Sequence, residues 1–150
     1  MINGLSILKL VHVLFAIVAV GYNLTYGVIL ARAARSSRET RKWVLETIRS
    51  LDRIANWAYT GLLITGGGLV TMAHYSWAMV WTSGSALLLV VALGLAHGLY
   101  TPTLKKQIKL IDEQGPDSPE FQALDRRGNT VGIALMVIAL LIVALMVLKP

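Results

Sequence analysis

The stretch Leu8–Arg32, LKLVHVLFAIVAVGYNLTYGVILAR, decides the fold of this chain. The 22 residues between Lys9 and Arg32 carry no formal charge. At about 1.5 Å of helical rise each, they cross a hydrocarbon core of roughly 30 Å. Lipid penalises an unpaired imidazole or carboxamide, so we expect one stripe of this helix to face other helices. The members of this polar stripe recur at helical spacing: His12, Ala16, Ala19, Asn23 and Gly27.

The composition of the whole chain agrees with a membrane helix. The sequence has 150 residues, of which 55% are hydrophobic and only 15% are charged, and its mean hydropathy is +0.63. A soluble domain of this size does not need so much apolar surface. The sequence therefore predicts an integral membrane protein with a single domain over residues 1–150.

Four apolar segments are predicted to span the membrane, and together they predict an all-α four-helix bundle. They cover about residues 5–31, 54–73, 83–101 and 129–148, and hydrophilic loops occupy residues 32–53 and 102–128. Between the second and third segments, HYSWAMVWT (residues 74–82) has the aromatic density typical of an interfacial belt. The triplet Gly66–Gly68 indicates a close approach of another helix or of a cofactor, with a local kink as the alternative.

The distribution of charge predicts the orientation. Twelve of the 14 Lys and Arg residues, and all eight acidic residues, lie within residues 32–53 and 105–127. Basic loops beside apolar spans favour the cytoplasmic side, so we expect both termini and the aromatic turn on the non-cytoplasmic side of a bacterial inner membrane. This distribution makes the lipid bilayer the expected partner and argues against nucleic acid. The absence of cysteine excludes disulfides and thiolate ligands.

The hydrophilic loops are expected to contain helical pieces. Residues 39–53 predict an amphipathic helix lying at the membrane surface, and residues 105–113 and 120–127 are also expected to be helical. Asp52 and Arg53, at the start of the second span, are interpreted as solvated anchors. The apolar face of the first piece would consist of Trp43, Leu45, Ile48 and Leu51.

Two histidines, His12 and His97, lie inside predicted spans. An intramembrane ionisable side chain is a functional hypothesis by default, and neutral imidazole is a usual axial ligand of b-type haem. The alternative is an interhelical hydrogen bond, for which Asn23 and Tyr26 would be partners of His97. The span limits place the two histidines on the order of 15 Å apart along the membrane normal. They therefore share no metal unless those limits shift by several residues.

Other metal chemistry finds less support in the sequence. His74 belongs to the aromatic turn and is interpreted as an interfacial residue. A copper or zinc site needs two or three converging ligands. The spans contain no acidic residue, and the chain has no H-x-x-x-H motif.

The chain resembles an uncharacterised bacterial family of four-span membrane proteins, a domain of unknown function, and more distantly the HemJ-type protoporphyrinogen oxidases. This resemblance implies a membrane bundle that binds b-type haem or a porphyrin, with His12 and His97 in the histidine positions of the family. The residues that carry it are Leu8-Lys9-x-x-His12, Arg53, Thr60, Gly66, His97, Asn129 and the terminal Met146–Pro150.

The sequence departs from the oxidase pattern at several positions. Ser85 stands where that pattern has a lysine four residues after a Trp, here Trp81. Ala96 replaces the aromatic residue before the histidine, and Thr130 and Val131 replace a Glu and a Pro. The missing lysine weakens the case for oxidase activity more than the case for haem binding.

The leading hypothesis is a small membrane protein that binds haem b or a porphyrin in a redox role. His12, His97 and Asn23 would contact the cofactor, the two histidines would be its metal ligands, and Gly66–Gly68 with Gly94 and Gly98 would make room for a flat ring. The alternative is a non-enzymatic accessory or assembly subunit, whose fourth span and GxxxG pair dock onto a membrane-protein partner or a second copy. A copper or small-solute transport component is a third hypothesis.

Overall fold

The computed structural model describes residues 3–150 and confirms the all-helical prediction. The helices over Val80–Leu95 and Thr101–Glu113 run on from each other through a π-helical turn, so the described residues form four long helices. Three of them are long and apolar enough to cross a membrane: Gly4–Ala33, Val80–Glu113 and Pro119–Leu148. The elements are α1 (Gly4–Ala33), α2 (Arg38–Met72), α3 (Val80–Leu95), the π-turn (Ala96–Tyr100), α4 (Thr101–Glu113) and α5 (Pro119–Leu148).

Side-chain caps define where two of these helices begin. The Ser37 hydroxyl accepts a hydrogen bond from the backbone N–H of Thr40. The Ser118 hydroxyl accepts one from Phe121, and Pro119 occupies the first turn of α5, where its missing N–H costs nothing. The second hydrophilic segment is helical over Thr101–Glu113 and again from Pro119, in agreement with the expectation for residues 105–113 and 120–127.

The expectation of a separate surface helix over residues 39–53 is wrong. Residues 38–72 form one uninterrupted helix of 35 residues, about 52 Å long. Leu45 and Ile48 are buried in a cluster with Ile111 and Phe121, so this apolar face packs on α4 and α5 and not on lipid headgroups. Trp43 points elsewhere and is 65% exposed. No proline or charge cluster interrupts the helix, and the glycine triplet does not break it.

Helices α1 and α2 pack antiparallel, and the glycines of α2 set how closely they approach. A Cβ on Gly61 would lie 2.7 Å from the Phe15 ring, and a Cβ on Gly68 would lie 3.1 Å from Leu8. A Cβ on Gly67 would meet no atom within 4 Å. Gly61 and Gly68 therefore face α1 directly, which agrees with the prediction of close approach, whereas Gly67 faces open space.

The π-turn explains how helix continues past Pro102. A proline inside an α-helix removes an N–H, and its ring collides with the carbonyl four residues earlier. The wider π-turn at Ala96–Tyr100 lies immediately before Pro102, which occupies the first turn of α4. The helix that begins at Val80 therefore continues to Glu113, beyond the end predicted for the third span at Thr101.

The two termini and the aromatic turn lie at one end of the bundle. A Cβ on Gly4 would lie 3.7 Å from the Met72 side chain, at the end of α2. At the other terminus, the Lys149 ammonium lies 5.7 Å from the ring centre of Tyr75. The outward surfaces of α1, α3 and α5 are apolar, with Ile17, Leu87 and Val147 among their exposed side chains.

Candidate functional site

The bundle contains a cavity of about 580 Å³ near the end that carries the aromatic turn. Its size lies in the roughly 300–1,000 Å³ range of small-molecule and cofactor sites. We call it the histidine cavity because His12 lines it, together with residues of α1, α2, α3 and α5. Most of its wall is aliphatic, and Gly66 and Gly67 form part of that wall without a side chain.

A hydrogen-bond chain orients the His12 ring. The His12 Nδ1 atom lies 2.8 Å from the Thr65 hydroxyl, and that hydroxyl donates to the Gly61 carbonyl at 2.6 Å. Because the hydroxyl proton is engaged by the carbonyl, Thr65 accepts from His12, and the pattern assigns the proton of the neutral ring to Nδ1. The Nε2 atom therefore carries a free lone pair, as in a histidine that binds a metal or accepts a hydrogen bond.

Two hydroxyls in the wall of the cavity have no hydrogen-bond partner. The side chains of Thr82 and Ser85 are 3% and 2% exposed, and neither hydroxyl is paired within residues 3–150. Both residues line the histidine cavity. A buried hydroxyl without a partner costs free energy. Both oxygens are closed off from the cavity surface, so they are unpaired donors within the wall and do not face the open space. From the sequence, Ser85 stood out only as the position of a missing lysine; a Thr and a Ser three residues apart at the start of an apolar segment were the available signal.

The mouth of the cavity is aromatic and cationic. Tyr75 and Trp81 meet edge to face, with their ring centres 4.9 Å apart. The Lys149 ammonium lies 5.2 Å from the Trp81 ring centre, within the range of a cation–π interaction. Lys9 and Trp77 also line this cavity.

Asn23 lies outside the histidine cavity. Its amide donates a hydrogen bond to the Tyr59 hydroxyl, and Tyr59 forms part of the cavity wall. Asn23 instead lines a second cavity of about 340 Å³, with Tyr26 and Tyr100. Like Thr82 and Ser85, the buried Tyr26 hydroxyl has no partner within residues 3–150.

His97 lies on the exposed surface of the π-turn, away from His12. It acts electrostatically on Asp52, whereas His12 bonds to Thr65. Asp52 and Thr65 are 13 residues apart in α2, or about 20 Å of helical rise. The structure does not bring the two histidines together.

The remaining residues singled out in the sequence are glycines and His74. Gly66 and Gly67 line the histidine cavity, whereas Gly94 and Gly98 are exposed, and a Cβ on either would meet no atom within 4 Å. His74 is exposed in the turn after α2, with a left-handed φ of 54°. No group of three or more His, Cys, Asp or Glu side chains in the described part of the chain is placed to hold a metal ion.

The interpretation of Asp52 as a solvated anchor is wrong. Its side chain is 5% exposed; it accepts hydrogen bonds from the Thr101 hydroxyl at 2.7 Å and from the Asn56 amide at 3.3 Å. Burial raises the pKa of the Asp52 carboxyl, although these two hydrogen bonds and the field of His97 oppose that shift. The sequence could not show this because the groups near Asp52, among them Thr101 of α4 and His97 of the π-turn, come from far along the chain. Arg53, the next residue, is exposed as predicted.

The fold and the cavity define an all-helical protein of the integral membrane class. The chain belongs to the DUF2269 family, whose model is described as a predicted integral membrane protein and matches residues 6–150. This match confirms the predicted membership of an uncharacterised membrane family. No curated protein and no solved structure matches the chain.

Proposed function

We propose that this protein binds b-type haem or a porphyrin in the histidine cavity and serves a redox role in the membrane. One observation carries the proposal: His12 lines an apolar cavity of about 580 Å³, and its Thr65 partner leaves Nε2 with a free lone pair. An imidazole held by an orienting hydrogen-bond partner is the usual arrangement of a protein-derived haem ligand.

The residues of the cavity fit a flat apolar ring with one histidine ligand. His12 Nε2 would be the ligand, and the Thr65 hydroxyl would hold the imidazole in the required tautomer and orientation. Gly66 and Gly67 leave one wall flat. A haem supplies one-electron redox chemistry when bound, and the aliphatic walls would exclude water around it. The roles of Asn23 and His97 as further contacts stay predictions, and His97 would belong to a separate site.

The proposed topology has four spans in a bacterial inner membrane, with both termini outside the cytoplasm. The concentration of basic residues at the other end of the bundle supports this orientation. α2 is the least apolar of the four long helices, and its close antiparallel packing on α1 supports its place as a fourth span.

The proposal covers binding and electron transfer and not protoporphyrinogen oxidation. The resemblance to the HemJ-type oxidases suggests a porphyrin ligand. However, Ser85, which stands where the oxidase pattern has a lysine, lines the histidine cavity. An uncharged hydroxyl cannot replace an ammonium group in acid–base chemistry at neutral pH.

The test is an absorbance spectrum of the protein purified in mild detergent from cells supplied with haem, with a pyridine haemochrome assay. We expect a stoichiometric b-type signal that is lost in His12→Ala and broadened or shifted in Thr65→Val. His97→Ala is the matched control and should retain the signal, because His97 lies on the surface. A flat spectrum from folded wild-type protein would overturn the proposal. Loss of the signal only in His97→Ala would place the haem at His97 and not in the histidine cavity.

A second candidate function is an accessory or assembly subunit. Gly94 and Gly98 lie one turn apart on an exposed surface, and nothing in residues 3–150 approaches them. Such a pair lets the backbone of another helix approach closely in a bilayer, so a membrane-protein partner or a second copy would dock there. In this case Gly94→Leu should abolish co-purification with that partner, while His12→Ala leaves it unchanged.

A further inference from the structure

The mouth of the histidine cavity has two cations and no acidic side chain. Lys9 and Lys149 line it, and all eight acidic residues lie at positions 39–52 and 112–125, at or toward the opposite end of the bundle. At the other end, acidic side chains lie close enough to pair with cations, as in the 2.6 Å contact between Lys42 and Asp112. The positive charge at the mouth is therefore not balanced by the side chains around it.

The two lysines are positioned toward the cavity in different ways. Lys9 lies three residues before His12 in α1 and thus on the same helix face, about one turn nearer the mouth. Lys149 follows α5 in a left-handed conformation, with φ 48°. Its ammonium packs over the rings of Tyr75 and Trp81. Both lysines therefore border the same cavity as His12.

Two buried hydroxyls also lie in the wall of this cavity. Thr82 and Ser85 are three residues apart on one face of α3, and both hydroxyls are unpaired within residues 3–150. Their oxygens are closed off from the cavity surface, so the acidic groups of a ligand would be bound by the two lysines and not by these hydroxyls.

We propose that the mouth is an anion site, in which Lys9 and Lys149 bind acidic groups of an amphiphile whose apolar body fills the histidine cavity. If the proposed function holds, the amphiphile is a porphyrin with carboxylates on one edge. The identity of its apolar body therefore rests on the proposed function. A lipid phosphate offers the same chemistry from another source.

The first experiment compares an iron porphyrin dicarboxylate with its dimethyl ester, titrated into the purified protein in a zwitterionic detergent and followed by absorbance. We expect the acid to bind at least tenfold more tightly than the ester, since charge-assisted hydrogen bonds are stronger than neutral ones. In Lys9→Gln/Lys149→Gln, the affinity for the acid should fall about tenfold or more while that for the ester stays unchanged. Lys105→Gln/Lys106→Gln is the matched control, with two exposed lysines of α4 replaced.

The second experiment identifies the source of the anion by native mass spectrometry of protein released from nanodiscs that contain phosphatidylglycerol and phosphatidylcholine. Two results together would assign the mouth to a lipid phosphate. The wild-type protein would retain phosphatidylglycerol that the Lys9→Gln/Lys149→Gln variant loses, and the porphyrin acid and ester would bind equally well.

The outcomes separate the two proposals. Equal binding of acid and ester, with no preference for the anionic lipid, overturns the anion site and leaves the porphyrin proposal standing. Binding of neither porphyrin overturns the proposed function, and the lipid experiment then decides on the anion site alone. Both lysines are exposed, so the melting temperature of the double variant should fall only by the small loss of the Lys149 cation–π contacts. Lys9→Arg/Lys149→Arg keeps both charges and should bind the acid as wild type does.

Discussion

The polar side chains at the two ends of the bundle differ in how fully they are paired. At the end that carries the hydrophilic segments, which we call the loop half, Asp125 accepts from Gln107 at 3.1 Å and pairs with Arg41 at 3.2 Å. Arg41 also packs over the Phe121 ring, 4.7 Å from its centre. At the end that carries the histidine cavity, the cavity half, Thr82 and Ser85 have no hydrogen-bond partner within residues 3–150.

The same contrast holds for apolar packing. Phe121 and Ile111 in the loop half are 0% exposed and belong to the larger buried cluster. The cavity half has a smaller cluster around Ala19, Ala58 and Leu62 beside an open space of about 580 Å³. The loop half is thus built mainly for folding, apart from the unpaired Tyr26 hydroxyl. The cavity half retains open volume and a free imidazole nitrogen, which are features of a binding site.

The largest expected effect lies in the core of the loop half. Phe121→Ala should destabilise the protein by about 3–5 kcal/mol, because a fully buried aromatic side chain leaves a cavity that the surrounding helices fill only in part. Met146→Ala is the control in the cavity half and should cost much less, since Met146 is partly exposed and already borders open space. The free energy of unfolding in detergent measures both, and equal losses would contradict the division into two halves.

A ligand that binds in the histidine cavity should raise the free energy of unfolding, and a substitution that fills the cavity should remove this effect. At a ligand concentration 100 times Kd, linkage predicts a gain of about 2.7 kcal/mol. Gly67→Leu should abolish this gain, because nothing lies within 4 Å of a Cβ at this position and the remainder of the leucine side chain would take up part of the cavity. Thermal shifts with and without porphyrin measure it. Gly94→Leu is the control on the exposed surface and should respond like wild type; an undiminished shift in Gly67→Leu would place the ligand elsewhere.

Two glycines of α2 should respond oppositely to the same substitution. Gly61→Ala should destabilise by about 1–3 kcal/mol, since the new methyl group would lie 2.7 Å from the Phe15 ring. Gly67→Ala should be neutral or stabilising by up to about 1 kcal/mol, because alanine favours helix and nothing lies within 4 Å of its methyl group. Thermal unfolding of the pair measures the difference, and a reversed order would show that Gly67 rather than Gly61 faces α1.

The smallest expected effect is a pH dependence at Asp52. Its pKa is raised by burial, so the folded protein retains a proton at pH values where the unfolded chain has lost it. Stability should therefore decline as the pH rises from about 4, the ordinary value for Asp, through the folded-state pKa. Asp52→Asn should flatten this part of the profile of unfolding free energy against pH. His97 and Lys105 oppose the shift, and a profile that rises in wild type would mean that they dominate.

Much of the fold could be predicted because it depends on local patterns. The uncharged run between Lys9 and Arg32 predicts α1, and the spacing of the polar stripe predicts that this face turns inward. Ala19 is fully buried, and His12 and Asn23 both bond to α2. The expectation fails at Gly27, which is exposed, while its neighbour Tyr26 is buried. The spacing of such a stripe predicts the inward face of a helix to within about one residue. Packing against the neighbouring helices decides which residue of that face is buried.

The candidate site could be predicted only in part. The sequence by itself determined which side chains are available: His12 inside an apolar helix, a glycine-rich segment at Gly66–Gly68, and lysines near both ends of the chain without acidic neighbours. Only the tertiary structure decided that α2 is one helix, that Gly61 faces α1 while Gly67 faces a cavity, and that Thr82 and Ser85 lie opposite no partner. The physical reason is that composition and periodicity act within one helix. The register and spacing between helices depend on the summed packing of residues that are far apart in the chain.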